Sequence, residues 1–337
     1  MKRKPRVVVL YNRPGPGAVP EPSDVGVLDE VADVCVALGS RGYEVEGEGV
    51  DRATLFAAVE GLAARRDETV VFNLCEGLGG QSRFEPVVAG LLELHGIRFT
   101  GNAAPSLTCA LDKRIAKALL FAAGIPTPEA RVYRRVPSAA AVADLAFPLV
   151  VKPLREDASL GISAESFVCT PEALVARVAY VIETLGQPAL AEVYLEGREF
   201  NVAVAGTGRQ ARVLPVAEIA FEGYGEGEPR LVTHDAKWRE GSADDRRTVP
   251  RCPASIEEKL RARLETVGLS SHRALECRDY ARYDVRLDVR GDPQVIDVNP
   301  NPDLARRAGL ARAVAASGEP YEDFVAQVVQ WAWERAP

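Results

Sequence analysis

Asp284, Asp297 and Asn299 stand in a segment, 284–304, that reads DVRLDVRGDPQVIDVNPNPDL. The run YDVRLDV, a tight turn at Arg290-Gly291-Asp292-Pro293 and the run QVIDV predict two paired strands. Two aspartates facing each other across such a hairpin repel unless a cation lies between them. An amide oxygen two residues further on adds a ligand without charge, and a set of hard oxygen donors suits Mg²⁺ rather than zinc. Pro300 and Pro302 stiffen the exit and keep Asn299 and Asn301 close to the pair. Arg282 and Arg286 offer the alternative, in which guanidinium groups neutralise the same carboxylates. The first reading makes this segment a floor for a metal and a phosphate.

Lys152 ends the apolar strand in FPLVVKP, where a buried ammonium is expensive unless paired. The loop behind it, LREDASLGIS, carries Glu156, Ser159 and Gly161. Backbone N–H groups and a hydroxyl in such a loop suit phosphate oxygens. A lysine snorkelling to a neighbouring carboxylate accounts for Lys152 equally well. In AEVYLEGREF, 191–200, an apolar strand holding Glu192 runs through Val193, Tyr194 and Leu195 into a turn and Glu199. Exposed backbone amides beside a carboxylate are what an adenine and its ribose need; a solvated strand end would carry the same residues.

The elements that must position these groups alternate at first between strand and helix. RVVVLY, a helix over 24–41 with Asp24 as cap, YEVEG, a helix near 51–65, TVVFNL, a helix at 84–95 and IRFTG predict a parallel sheet covered by helices. Ligands gather at the carboxyl ends of such strands, here YNRPGPGAVPEPSD and NLCEGLGGQS. From about 106 the pattern changes. LDKRIAKALLFAAGI is an amphipathic helix stopped by Gly124 and the prolines after it. A helix at 171–185 and the strands ALAEVYL, EFNVAVAG and ARVLPVAEIA follow. The polar stretch 221–249 has the length of a lid or binding loop. Helices at roughly 303–317 and 320–335 complete the chain.

Several classes are disfavoured. The 337 residues carry a formal net charge of −7, against the basic face of a general nucleic-acid binder. Six scattered cysteines and three histidines suggest neither a zinc site nor a disulfide framework. No apolar run reaches a membrane-spanning length. The expectation is a cytoplasmic protein without membrane or nucleic-acid partners. No G-x-G-x-x-G follows the first strand and no P-loop occurs, which disfavours a dinucleotide-binding domain and a P-loop NTPase.

Together the segments resemble the ATP-grasp superfamily, in particular D-alanine–D-alanine ligases, over most of the chain. GLLELHGIRFTGNAAPSLTCALDKRIAKALLFAAGIPTP is similar to the segment joining the first and central domains of that family. VVKPLREDASLGIS resembles its phosphate loop, AEVYLEGREFNVAV its adenine hinge, THDAKW its mobile loop, and YARYDVRLDV with VIDVNPNP its metal site. The resemblance implies a three-domain α/β architecture. An N-terminal Rossmann-like parallel-sheet domain spans 1–105, and ATP-grasp subdomains at 106–187 and 188–337 clasp the nucleotide. It implies ATP as co-substrate and two Mg²⁺ (or Mn²⁺) on Asp284, Asp297 and Asn299. Lys113 and Lys152 would hold phosphates under the loop from Glu156 through Ser159 to Gly161. Glu192 with Val193, Tyr194 and Leu195 would read adenine, Glu199 the ribose, Lys237 would reach the γ-phosphate, and Arg282 would stabilise an oxyanion.

The implied activity is an ATP-dependent carboxylate–amine ligase acting through an acyl phosphate on amino-acid-like substrates, with a homodimer as the expected assembly. D-alanine–D-alanine ligation itself is one alternative, and a nucleotide-binding protein without ligase activity another. The amino-acid half departs from the pattern. The family's E-R-x-V-S stretch becomes the Pro-rich segment with Glu21 or Asp24 as stand-ins, and its H-G-x-x-G-E-D-G becomes CEGLGGQSRFEP without the histidine. Ala158 replaces the first phosphate-loop serine and Trp238 a tyrosine, which removes a loop-to-loop hydrogen bond. PDLARRAG replaces the carboxylate-binding serine region. Glu76 and Glu85 lie on one side, and Arg306 and Arg307 either face the pocket or lie on the solvent side of their helix.

Overall fold

The computed structural model describes residues 4–13, 22–156 and 159–335, with the backbone alone at 22–25. Glu21 and Ala158 lie outside the described residues, as does the side chain of Asp24. The first elements are β1 (Arg6–Asn12), α1 (Pro22–Ser40), β2 (Val45–Val50), α2 (Leu55–Ala63), β3 (Thr69–Leu74) and α3 (Glu85–Leu94). The strands form a parallel sheet in the order β2-β1-β3. Runs such as VVVL and VVF suit strands buried on both faces. Val8, Leu10 and Val71 face α2 and α3 through Val59, Leu62, Val88 and Leu92, whereas Val7, Val9 and Phe72 face α1. The strand expected at IRFTG is a single bridge between Val71 and Phe99.

Next come α4 (Ala104–Leu111), α5 (Lys113–Ala122), β4 (Ala130–Tyr133), β5 (Leu149–Pro153), β6 (Phe167–Val168), α6 (Pro171–Glu183) and β7 (Ala189–Val193). The strands form an antiparallel sheet, β4-β7-β5-β6. Asp112 divides the helical segment in two. Its carboxylate accepts from the Arg114 and Ile115 N–H groups, each at 3.2 Å, and so caps α5. The cap fixes where α5 begins and therefore which way Lys113 points.

The remaining elements are β8 (Glu199–Ala205), β9 (Arg212–Val213), β10 (Ala217–Phe221), α7 (His234–Trp238), α8 (Ala243–Arg247), β11 (Thr248–Arg251), α9 (Glu258–Ala274), β12 (Tyr280–Leu287), β13 (Pro293–Asn299), α10 (Gly309–Ala316) and α11 (Tyr321–Glu334). Their sheet runs β11-β10-β8-β12-β13, with β9 beside β8. Helix α9 has no counterpart in the apolar periodicity, because its buried positions are Leu264, Gly268, Ser271 and His272. Gly268 lies so close to the sheet that a Cβ there would meet Val202 Cγ1 at 2.6 Å. The helix expected from 303 starts only at Gly309. Helix α11 leaves its own sheet and closes the first one, packing Phe324, Val325, Val328 and Val329 against the β1–β3 face.

Candidate active site

The floor of the site is a row of cross-strand pairs. β12 sets Arg282 opposite Asn299 and Asp284 opposite Asp297, with a bulge after Asp284; β8 sets Asn201 opposite Asp284 and Glu199 opposite Arg286. Alternation along the strands turns all of these side chains to one face. Arg282 grips Asp284 with two bonds, 2.8 and 3.1 Å. Asn201 and Asn299 donate to the same carboxylate at 2.7 and 3.1 Å. Burial would raise the Asp284 pKa, but Arg282 wins and holds it below the usual carboxylate range. Asp297 receives Lys113 Nζ at 3.0 and 3.3 Å, and the same ammonium donates to the Glu156 carbonyl at 2.8 Å. Arg286 is not shared with the aspartates: its Nε lies 3.4 Å from Glu199.

Among the described residues no group of three or more His, Cys, Asp and Glu side chains could hold a metal ion alone. Two carboxylates and an amide oxygen are nonetheless a fitting set for Mg²⁺, which is usually held by one or two carboxylates plus substrate phosphates. The donor chemistry fits provided a triphosphate completes the shell.

One wall is charged and dry. Lys152 Nζ lies 2.5 Å from one Glu192 oxygen and Lys117 Nζ 2.9 Å from the other, with Glu192 only 3% exposed. Burial alone would raise this carboxyl, yet two ammonium groups pull its pKa down to about 2. Lys117 also donates to Thr127 Oγ1 and the Pro128 carbonyl at 2.7 and 3.0 Å. Sequence reasoning missed it, although Lys113 and Lys117 stand one helical turn apart on α5. The Glu192 carboxylate is thereby occupied. At the hinge behind it, the Val193 and Tyr194 N–H groups serve the Glu129 and Pro148 carbonyls, while Leu195 N–H has no protein partner among the described residues. Lys113, Lys152, Glu156, Ser159, the hinge 192–195, Glu199, Asp284, Arg286 and Asp297 line a single cleft between the two antiparallel sheets.

The phosphate loop is tied at both ends. Glu156 accepts from Gln187 at 3.1 Å and from Ser82 of the first unit at 3.2 Å; burial holds its carboxyl above the ordinary range. Ser159 and Gly161 both have positive φ, 61° and 72°. A Cβ on Gly161 would meet Leu185 Cδ1 at 2.7 Å and Pro153 Cγ at 3.0 Å, so close packing as well as backbone shape requires glycine there.

The polar stretch after β10 holds two short helices, α7 and α8. It joins the phosphate loop through a bond from His234 N–H to the Ile162 carbonyl, 3.0 Å. Trp238 lies against α1, where a Cβ on Gly26 would meet the indole at 2.9 Å. Lys237 does not line the cleft between the two antiparallel sheets. It lines a neighbouring chamber with Trp238, Arg282, Asn299, Glu76 and Glu85, and burial together with Arg282 lowers its pKa.

Arg306 pairs with Glu322 and with Asp33 on the solvent side, the latter at 3.7 Å, and Arg307 pairs with Asp29 at 3.1 Å. Arg307 nevertheless lines a second pocket that adjoins this chamber and shares Arg282 and Asn299 with it, together with Arg312 of α10, which is half-buried and ion-paired with no carboxylate among the described residues. Burial and the nearby Arg282 lower its pKa.

The chain as a whole is similar to known proteins. The family model described as D-ala D-ala ligase C-terminus matches residues 121–330, more than half of the chain. The chain is 31% identical to a D-alanine–D-alanine ligase of Cupriavidus pinatubonensis, covering 88% of this chain and 84% of that one. It is 34% identical to an uncharacterized protein of Sinorhizobium fredii, covering 98% and 97%. Among solved structures, the D-alanine–D-alanine ligase of Bacillus anthracis complexed with ATP superposes with a TM-score of 0.74 at 21% identity, over 97% of this chain and 96% of that one. The VanG D-Ala:D-Ser ligase of Enterococcus faecalis superposes with 0.75 at 18%, over 98% and 100%. The chain belongs to the D-alanine–D-alanine ligase family, and it is an ATP-dependent ligase that forms C–N bonds.

Proposed function

We propose that this enzyme joins an amino-acid-like carboxylate to an amine that carries its own carboxylate, through an acyl phosphate, and that its preferred pair is not D-alanine with D-alanine. The observation behind the reading is the row Arg282/Asn299, Asp284/Asp297, Arg286/Glu199, which opens beneath the lysine-lined cleft.

On this reading the donor carboxylate attacks the γ-phosphorus and ADP leaves. The amine then attacks the acyl carbon, its proton departs, and phosphate is expelled. Lys113 and Lys152 hold the triphosphate, and the loop from Glu156 through Ser159 to Gly161 closes over it. Lys237 moves in with its loop to the γ-phosphate. Glu192 orients the two lysines while the Leu195 N–H reads the base, and Glu199 takes the ribose. Arg282 stabilises the oxyanion of the tetrahedral state, a task suited to a guanidinium fixed in advance by Asp284. Asp284, Asp297 and Asn299 would hold Mg²⁺, which when bound offsets triphosphate charge. Exclusion of water by the closed loop protects the acyl phosphate.

The substrate reading rests on the chamber. A free amino acid buries an ammonium and a carboxylate, each of which needs an opposite partner. Glu76, Glu85 and Asp303 line the chamber for the ammonium, and Arg312, in the adjoining pocket that shares Arg282 and Asp303 with it, suits the carboxylate of the acceptor. The division at 1–105, 106–187 and 188–337, a cytoplasmic setting and a homodimer belong to the same proposal.

The test is phosphate release with D-alanine as sole amino acid against a panel of L-, D- and β-amino acids. Several of the panel carry a second carboxylate, and Asp297→Asn serves as the Mg²⁺-dependence control. The expected result is turnover with a panel member and loss of turnover in Asp297→Asn at a native melting temperature. D-alanyl-D-alanine formed at a catalytic efficiency above about 10⁴ M⁻¹s⁻¹ would make the enzyme a D-alanine–D-alanine ligase proper.

A further inference from the structure

Arg286 is an unusual occupant of the nucleotide cleft. Its side chain is 3% exposed, between the rings of Tyr194 and Phe221 at 5.0 and 5.5 Å. Its charge partner is Glu199, but the 3.4 Å separation is too long for a well-formed bond. Nε and Nη2 have no hydrogen-bond partner among the described residues. A buried guanidinium with unmet donors is costly. An unbranched apolar side chain would fill the slot between two rings without that cost, so the cation points to a ligand that takes up its donors.

The chemistry of the pair narrows the ligand. A carboxylate only accepts and a guanidinium only donates, whereas a hydroxyl does both. A vicinal diol facing Glu199 and Arg286 can give its protons to the carboxylate and receive N–H groups from the guanidinium. The pair lies where β8 meets β12, one step along the strands from Asp284, so it follows the phosphate floor on the path to the hinge. We propose that Arg286 acts with Glu199 to read the cis-diol of the ribose, which makes Arg286 a determinant of ribonucleotide over deoxyribonucleotide use. This rests on the cleft being the nucleotide site.

The test compares ATP with 2′-deoxyATP, by calorimetric binding and by phosphate release, in the native protein, Arg286→Met and Arg286→Lys, with melting curves for each. Sites built to bond a hydroxyl reject analogues that lack it, so the native protein should prefer ATP by about tenfold or more, and Arg286→Met should cut that preference at least about fivefold. Arg286→Lys, which keeps the charge but loses the fork, should fall between them. If Arg286→Met does not fold, the ratio in Arg286→Lys decides. Equal losses for both nucleotides would overturn the proposal, because Arg286 would then serve a phosphate or merely support Glu199. Normal ATP use with no native preference would overturn it while leaving the ligase reading intact. Failure to bind either nucleotide would instead remove the nucleotide-site reading beneath it.

Discussion

At Glu192 one buried carboxylate is shared by Lys117 and Lys152, so removing either ammonium leaves one carboxylate oxygen buried without its partner. Breaking a buried ion pair by deleting one partner costs about 3–5 kcal/mol, and the remaining lysine moderates that loss here. Lys117→Ala is therefore expected to lower stability by about 2–3 kcal/mol, read by denaturant unfolding, and to raise the ATP KM, because Lys152, already on Glu192, would neutralise it alone and be held back from the phosphates. An unchanged midpoint and KM would make Lys117 a bystander. The facing Asp284 and Asp297 were legible because the apolar runs that carry them pair as a hairpin. Lys117, Asn201 and Arg312 were not. Each reaches the site by a pairing between distant segments, such as Asn201 with Asp284, and one sequence does not display such a register.

The proposed mechanism turns on the polar stretch between β10 and β11 as a lid. It is tied to its surroundings by the His234–Ile162 bond, by the Arg230 N–H bond to Tyr194 Oη at 3.0 Å and by the indole on Gly26, and internally by bonds such as Thr233–Asp244 and Arg247–Glu228, both 2.6 Å. Most of its side-chain bonds are exposed to solvent, and segments held in that way open at low free energy. Amide exchange across Glu222–Arg247 should therefore be fast without ligand and slow with an ATP analogue; equal exchange in both states would remove the lid from the mechanism. Trp238 lays its indole on α1, so this contact requires a bare backbone at Gly26. Length and polarity marked this stretch as a loop, but its two short helices, each capped by a hydroxyl at Thr233 or Ser242, were too brief to show a period. Helix α9 went unseen for a different reason, since glycine and serine face the sheet where apolar residues were sought.

Across the whole molecule, stability should depend on acid through His272. Its ring nitrogens meet Tyr283 OH at 3.1 Å and the Gly206 carbonyl at 3.0 Å, and burial pushes its pKa down to about 4. The native protein thus keeps this ring neutral while the unfolded chain takes up a proton below its ordinary value of about 6.5. The contribution is complete above that value and is lost as pH falls toward 4, on the order of 3 kcal/mol in all. His272→Gln should flatten the fall in unfolding free energy over that window by up to one proton; an unaltered slope would mean that other groups set it. The layered architecture was readable from alternating strand and helix patterns, but not the return of α11 to the first sheet, since an amphipathic helix does not name the surface it covers. That return has a consequence for synthesis. Val7, Val9 and Phe72 leave the ribosome early with α1 beside them, yet α11, which completes their cover with Phe324 and Val328, follows more than two hundred residues later. The nascent first sheet must therefore wait with part of that face bare until α11 is made.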